Sequence, residues 1–134
     1  MLFGNRYQIV MSLQPLLAPP LSSKPGNRQY WGQLHGSATA LAIANAARLH
    51  KGLSLIITAD TSSALQLESE LQFFCASDDQ PEVMHLADWE TLPYDTISPH
   101  QDIISERLST LYRLPLTEHA ILVVPITTLL QRLM

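Results

Sequence analysis

Three short apolar runs punctuate the chain, and amphipathic stretches separate them. Leu53–Thr58 (L-S-L-I-I-T) is apolar and partly β-branched. Its near-continuous apolarity suits a strand buried on both faces of a parallel sheet. Val83–Ala87 reads as a second, weaker strand, and Ala120–Val124 (A-I-L-V-V) as the clearest one, closed by Pro125. Gln29–Leu34 reads as a further short strand ahead of them.

Between the runs the apolar period becomes helical. Ala38–His50 places Ala38, Leu41, Ala42, Asn45 and Leu49 along one face, and Lys51-Gly52 is a helix stop. Its alanines allow close approach to a sheet. Asp60–Ser63 supplies N-cap chemistry, with capping-box spacing from Ser63 to Gln66, for a helix reaching about Phe74. Ala64, Leu67, Leu71 and Phe74 form its apolar stripe, and Cys75–Glu82 reads as a turn. Ser98-Pro99-His100-Gln101 is a strong helix start, with Ser98 as N-cap, Pro99 at the first position and Asp102 in the first turn. This helix is expected to bury Ile104, Leu108 and Leu111, to run to about Leu114 and to stop at Pro115. Ile126–Met134 begins another helix.

Strands alternating with helices imply right-handed βαβ crossovers, hence an α/β fold with a parallel sheet and helices on both faces. The first 28 residues fit less well. Pro15, Pro19 and Pro20 limit any helix at Met11–Leu17, and Leu21–Arg28 (with S-S-K-P-G-N) reads as a loop or linker. Residues 1–28 are therefore taken as an extension and residues 29–134 as the folded domain.

Composition sharpens this picture. With 134 residues the chain can bury one proper core. Charged residues are 15% of the chain, below the usual quarter or so, so part of the surface is expected to rest on something else, such as a second domain. A net charge of −4 with scattered basic residues argues against a free-standing nucleic-acid binder. The single cysteine, Cys75, excludes an internal disulfide or a cysteine-rich metal site and fits a reducing, cytoplasmic setting. The opening residues contain Arg6, Gln8 and Gln14 and lack a cleavage pattern, so no signal peptide is expected. No apolar run approaches the ~18 residues of a membrane span. The chain stops at L-L-Q-R-L-M inside an apolar periodic segment, and is read as a piece of a longer protein.

Parallel α/β sheets bind ligands at the carboxyl ends of their strands. The turn Gly32–Ala40 (G-Q-L-H-G-S-A-T-A) occupies the place of a phosphate loop. Such a loop needs glycines that let backbone amides face phosphate, a lysine for the terminal charges and a hydroxyl for Mg²⁺. Here Gly36 and Ser37 occupy the loop, Ala38 replaces the glycine, Thr39 falls on the lysine position and Ala40 on the hydroxyl position. Weak anion binding at a helix N-terminus and a degenerate loop kept for packing are both readings of it, the second the simpler. Val83–Glu90 superficially resembles a strand ending in Mg²⁺-binding acids, but it is short, contains His85 and has no phosphate-loop lysine as companion.

No cofactor or metal site is assigned. His35, His50, His85, His100 and His119 lie in separate segments without zinc-site spacing. No serine has a nucleophile context. Asp88, Glu90 and Asp95 form either an acid pair or, more simply, a solvated loop face. Trp89 and Tyr94 read as partner anchors or as plugs holding a long loop to its own domain, the second favoured. Together with Asp95, Ser98 and His100 they are the candidate structural or interface anchors.

Residues 88–115 (D-W-E-T-L-P-Y-D-T-I-S-P-H-Q-D-I-I-S-E-R-L-S-T-L-Y-R-L-P) closely resemble the bacterial transcription-repair coupling factors. The resemblance extends more weakly from about Tyr30 to the end and includes I-L-V-V-P-I-T-T-L-L-Q-R-L at 121–133. It implies the first part (domain 1A) of a module similar to the excision-repair protein UvrB, with a partial RecA-like helicase fold and a degenerate phosphate loop. Ala59-Asp60-Thr61 through Ala64, Gln66 and Leu67 resemble the strand-to-helix turn that helicases use near nucleic acid.

The resemblance further implies a full-length protein that uses ATP and Mg²⁺ to translocate on double-stranded DNA, displaces stalled RNA polymerase and recruits UvrA through an adjacent domain. This chain would be the non-catalytic layer packing against the other domains. The alternative is a nucleotide- or DNA-binding helicase half that works only with its missing partner domain.

Overall fold

A computed structural model describes residues 17–22, 24–88 and 101–131. The strands are β1 (Leu53–Thr58), β2 (Glu82–His85) and β3 (Ala120–Pro125). They form a parallel sheet in the order β1-β3-β2. The helices are α1 (Ala38–His50), α2 (Thr61–Phe74), α3 (Gln101–Arg113) and α4 (Ile126–Leu130), with a 3-10 turn at Leu114–Leu116. The chain thus runs β1-α2-β2-α3-β3, and the helices cover the two faces, an arrangement consistent with part of a RecA-like fold. No helix among the described residues is long and apolar enough to cross a membrane.

One face of the sheet carries Ile121 and Val123, packed with Ala40, Ala44 and Ala47 of α1 and Ala64 and Leu71 of α2. The other carries Ala120, Leu122 and Val124 with Met84 and Leu86, and is roofed by Leu111 of α3 and Leu114. All six residues of β3 are buried, so the central strand is the one enclosed on both faces.

β1 departs from the expectation of burial on both faces. Leu53, Leu55 and Ile57 are 43%, 49% and 50% exposed. The reason is topological. β1 lies at the edge, Ile56 joins the helix-covered core, and the opposite face of β1 extends past the roof that covers β2 and β3.

α1 has the predicted bounds, and Ala42 and Asn45 of the predicted stripe are buried, but the stripe that meets the sheet core lies to one side of it. Ala40, Ala44 and Ala47 enter the core, whereas Leu49 is exposed. A methyl stripe lets the helix axis approach the sheet more closely than a leucine stripe, and that packing outweighs the burial of one leucine. Lys51 rather than Gly52 takes the left-handed C-terminal conformation, with φ 52° and its N–H on the Ala47 carbonyl. Gly52 is constrained differently: a Cβ there would meet the His50 ring at 3.1 Å.

α2 buries Ala64 and Leu71, with Leu67 and Phe74 packed alongside, as its stripe predicts. Its N-cap is Asp60, whose carboxylate accepts the Ser63 N–H at 2.7 Å.

α3 keeps part of the predicted face, with Leu111 packed on the core and Ile104 half-buried, but is turned away from Leu108. Arg107 and Thr110 are its buried residues, and Leu108 is 61% exposed. Pro115 lies in the 3-10 turn that ends the helix, as expected. α4 ends at Leu130, short of the predicted extent as far as described.

Candidate functional site: the loop before α1 and the carboxyl end of the sheet

The sequence places a strand at Gln29–Leu34, then a loop, then α1. The structure has the loop and helix without the strand: residues 29–35 are neither helix nor strand, and Tyr30 is 90% exposed. A strand exists only where a partner edge supplies backbone hydrogen bonds. This segment pairs with none of the three described strands.

The loop turns through two left-handed residues, Gln33 at φ 60° and Gly36 at φ 55°. At Gly36 the missing Cβ makes that conformation inexpensive. Ser37 precedes α1 without a side-chain cap, and the first turn carries no acidic residue. Gly36 and Ser37 are exposed, and Thr39 is half-buried. Ala40 is fully buried within the core shared by α1, α2 and β3. Matching the motif of a phosphate loop by sequence puts its Mg²⁺-binding hydroxyl at Ala40, whose methyl packs in the interior.

The carboxyl end of the sheet is built from β2, α3 and α4. Leu86 N–H donates to the Val123 carbonyl at 3.3 Å, and Glu82 N–H donates to the His119 carbonyl at 3.2 Å. Even-numbered residues of this run therefore face β3, and the carbonyls of His85 and Ala87 point outwards. α3 supplies their partners. Thr110 Oγ1 donates to the His85 carbonyl at 2.9 Å, and Arg107 Nη1 donates to the Ala87 carbonyl. Burial lowers the pKa of the Arg107 guanidinium, and the nearby Asp88 carboxylate opposes that shift. Asp88 also accepts from Gln131 Nε2 at 2.7 Å, tying the end of β2 to the segment after α4. Asp88 is thus bonded by Gln131, with the Arg107 charge nearby.

The described histidines sit in different parts of the fold. His85 Nδ1 lies 2.8 Å from Glu68 Oε2, joining β2 to α2. Its Nε2 is buried without a hydrogen-bond partner among the described residues. His119 Nε2–H donates to the Ala47 carbonyl at 3.0 Å, joining the start of β3 to α1. His35 and His50 are exposed. Among the described residues no three His, Cys, Asp or Glu side chains gather as a metal-binding group. Cys75 is half-buried, and desolvation pushes its thiol pKa up, away from the range of a reactive thiolate.

Of the candidate anchors, Trp89, Tyr94, Asp95, Ser98 and His100 lie outside the described residues, as does Glu90. Sequence reasoning missed Arg107, Thr110 and Gln131. One signal was available for the first two. They are three residues apart in α3, so two hydrogen-bonding side chains share one side of the helix. Nothing local to Gln131 points to Asp88, which is 43 residues away in sequence.

No family model matches the chain. Among curated proteins it is 50% identical over 112 residues to the transcription-repair-coupling factor of Escherichia coli, covering 84% of this chain and 9% of that protein. It is 41% identical over 115 residues to the transcription-repair-coupling factor of Haemophilus influenzae, covering 86% of this chain and 10% of that protein. The chain therefore spans about a tenth of the length of these relatives. Over most of its own length, this chain is a homologue of one region of the transcription-repair-coupling factors, the family that residues 88–115 resemble.

Proposed function

We propose that this chain is a non-catalytic, UvrB-like scaffold layer of a transcription-repair coupling factor, working in the cytoplasm. In that role it packs against the other domains of the longer protein and supports the adjacent domain through which UvrA is recruited for nucleotide excision repair. Displacement of stalled RNA polymerase, translocation on double-stranded DNA and the use of ATP with Mg²⁺ belong to the longer protein, outside this span. The family assignment rests on the identity to two coupling factors.

The non-catalytic reading is carried by Ala40. Phosphoryl transfer depends on positioned cations and a metal-binding hydroxyl acting together. Here the hydroxyl position is a buried methyl, and the lysine position is Thr39. The acid at the end of β2, Asp88, lies beside Arg107 and bonds Gln131.

Equilibrium binding of ATP to this chain at millimolar nucleotide tests the non-catalytic reading, and no binding is expected. Hydrolysis that a Gly36→Val change abolishes would overturn it. Pulldown of UvrA tests the scaffold role: a longer chain continuing past residue 134 is expected to capture UvrA, and this chain alone is not. Capture by this chain alone would relocate the UvrA contact to it.

A further inference from the structure

We draw no further inference here: the strongest candidate, the outer edge of the sheet at β1 with its apolar side chains Leu53, Leu55 and Ile57 exposed, carries nothing more because nothing in the structure shows what covers it.

Discussion

The Thr110 hydroxyl donates a 2.9 Å hydrogen bond to the His85 carbonyl, a group that the sheet leaves pointing away from its β2 edge. One turn earlier, Arg107 does the same for Ala87. An uncovered edge strand presents unpaired backbone groups that invite pairing with another chain. α3 closes this edge with side chains instead of a further strand. That explains its rotation: the two hydrogen-bonding residues turn inwards, and Leu108 moves out to solvent.

Thr110→Val keeps the shape of the side chain and removes the donor, leaving the His85 carbonyl without its partner. The expected loss is about 1–3 kcal/mol. Leu108→Ala, on the exposed side, is expected to stay within about 0.5 kcal/mol of the parent. Urea denaturation of both variants measures the difference. A larger loss at Leu108 than at Thr110 would restore the simple amphipathic reading of α3.

Arg107→Met removes a guanidinium that is only 2% exposed. A hydrogen bond from a charged group is worth about 1.5–3 kcal/mol, and a loss of that order is expected by the same measurement. Met fills much of the apolar volume, so the loss reports the polar contact more than a cavity. Amide exchange at the end of β2 should rise as well. Unchanged stability and exchange would show that the contact with Ala87 does not hold this edge.

The face of α1 can be tested by two opposite changes. Ala44→Leu adds bulk where α1 meets the sheet core, and overpacking is expected to cost about 1–3 kcal/mol. Leu49→Ala removes a half-exposed side chain and should be close to neutral in thermal denaturation. The reverse ranking would place the leucine stripe against the sheet.

The Asp60 carboxyl has a pKa below its ordinary value of 3.8, first because it accepts the Ser63 backbone N–H and then through its further bond to the Ser63 side chain. A depressed folded-state pKa contributes stability that is complete above the unfolded value and is lost as pH falls through the folded one. The cap should therefore persist at pH 4 and disappear in more acidic solution. Carboxyl NMR titration should give an Asp60 midpoint below 3.8. Amide exchange at Ser63 and Ala64 should accelerate in Asp60→Ala at neutral pH. A midpoint at or above 3.8 would remove the cap from the account of α2.

Much of this protein was legible in its sequence because the relevant signals are local. The apolar runs at 53–58 and 120–125, the alanine-rich helix at 38–50 and the Asp60 start of α2 depend on residues within a turn or two of each other. The residues that set the loop before α1 apart from a phosphate loop are also local: Ala38, Thr39 and Ala40 stand where that motif, matched by sequence, has glycine, lysine and hydroxyl. Residues 88–115 pointed to the coupling-factor family, and the identities to two coupling factors agree.

Tertiary structure decided the rest, because it depended on strand order. Among the described strands β3 lies between β1 and β2, and the roof of Leu111 and Leu114 covers β2 and β3, so the apolar run at β1 keeps one face exposed even though its composition suits burial. The same order leaves Gln29–Leu34 without a strand to pair with. It also turns the His85 and Ala87 carbonyls outwards, where residues 20 to 25 positions later reach them. Periodicity identifies which residues share a side of a helix. The partner waiting there is set by the sheet, and hydrogen bonds to the β2 edge bury Arg107 and Thr110 of α3 beside Leu111.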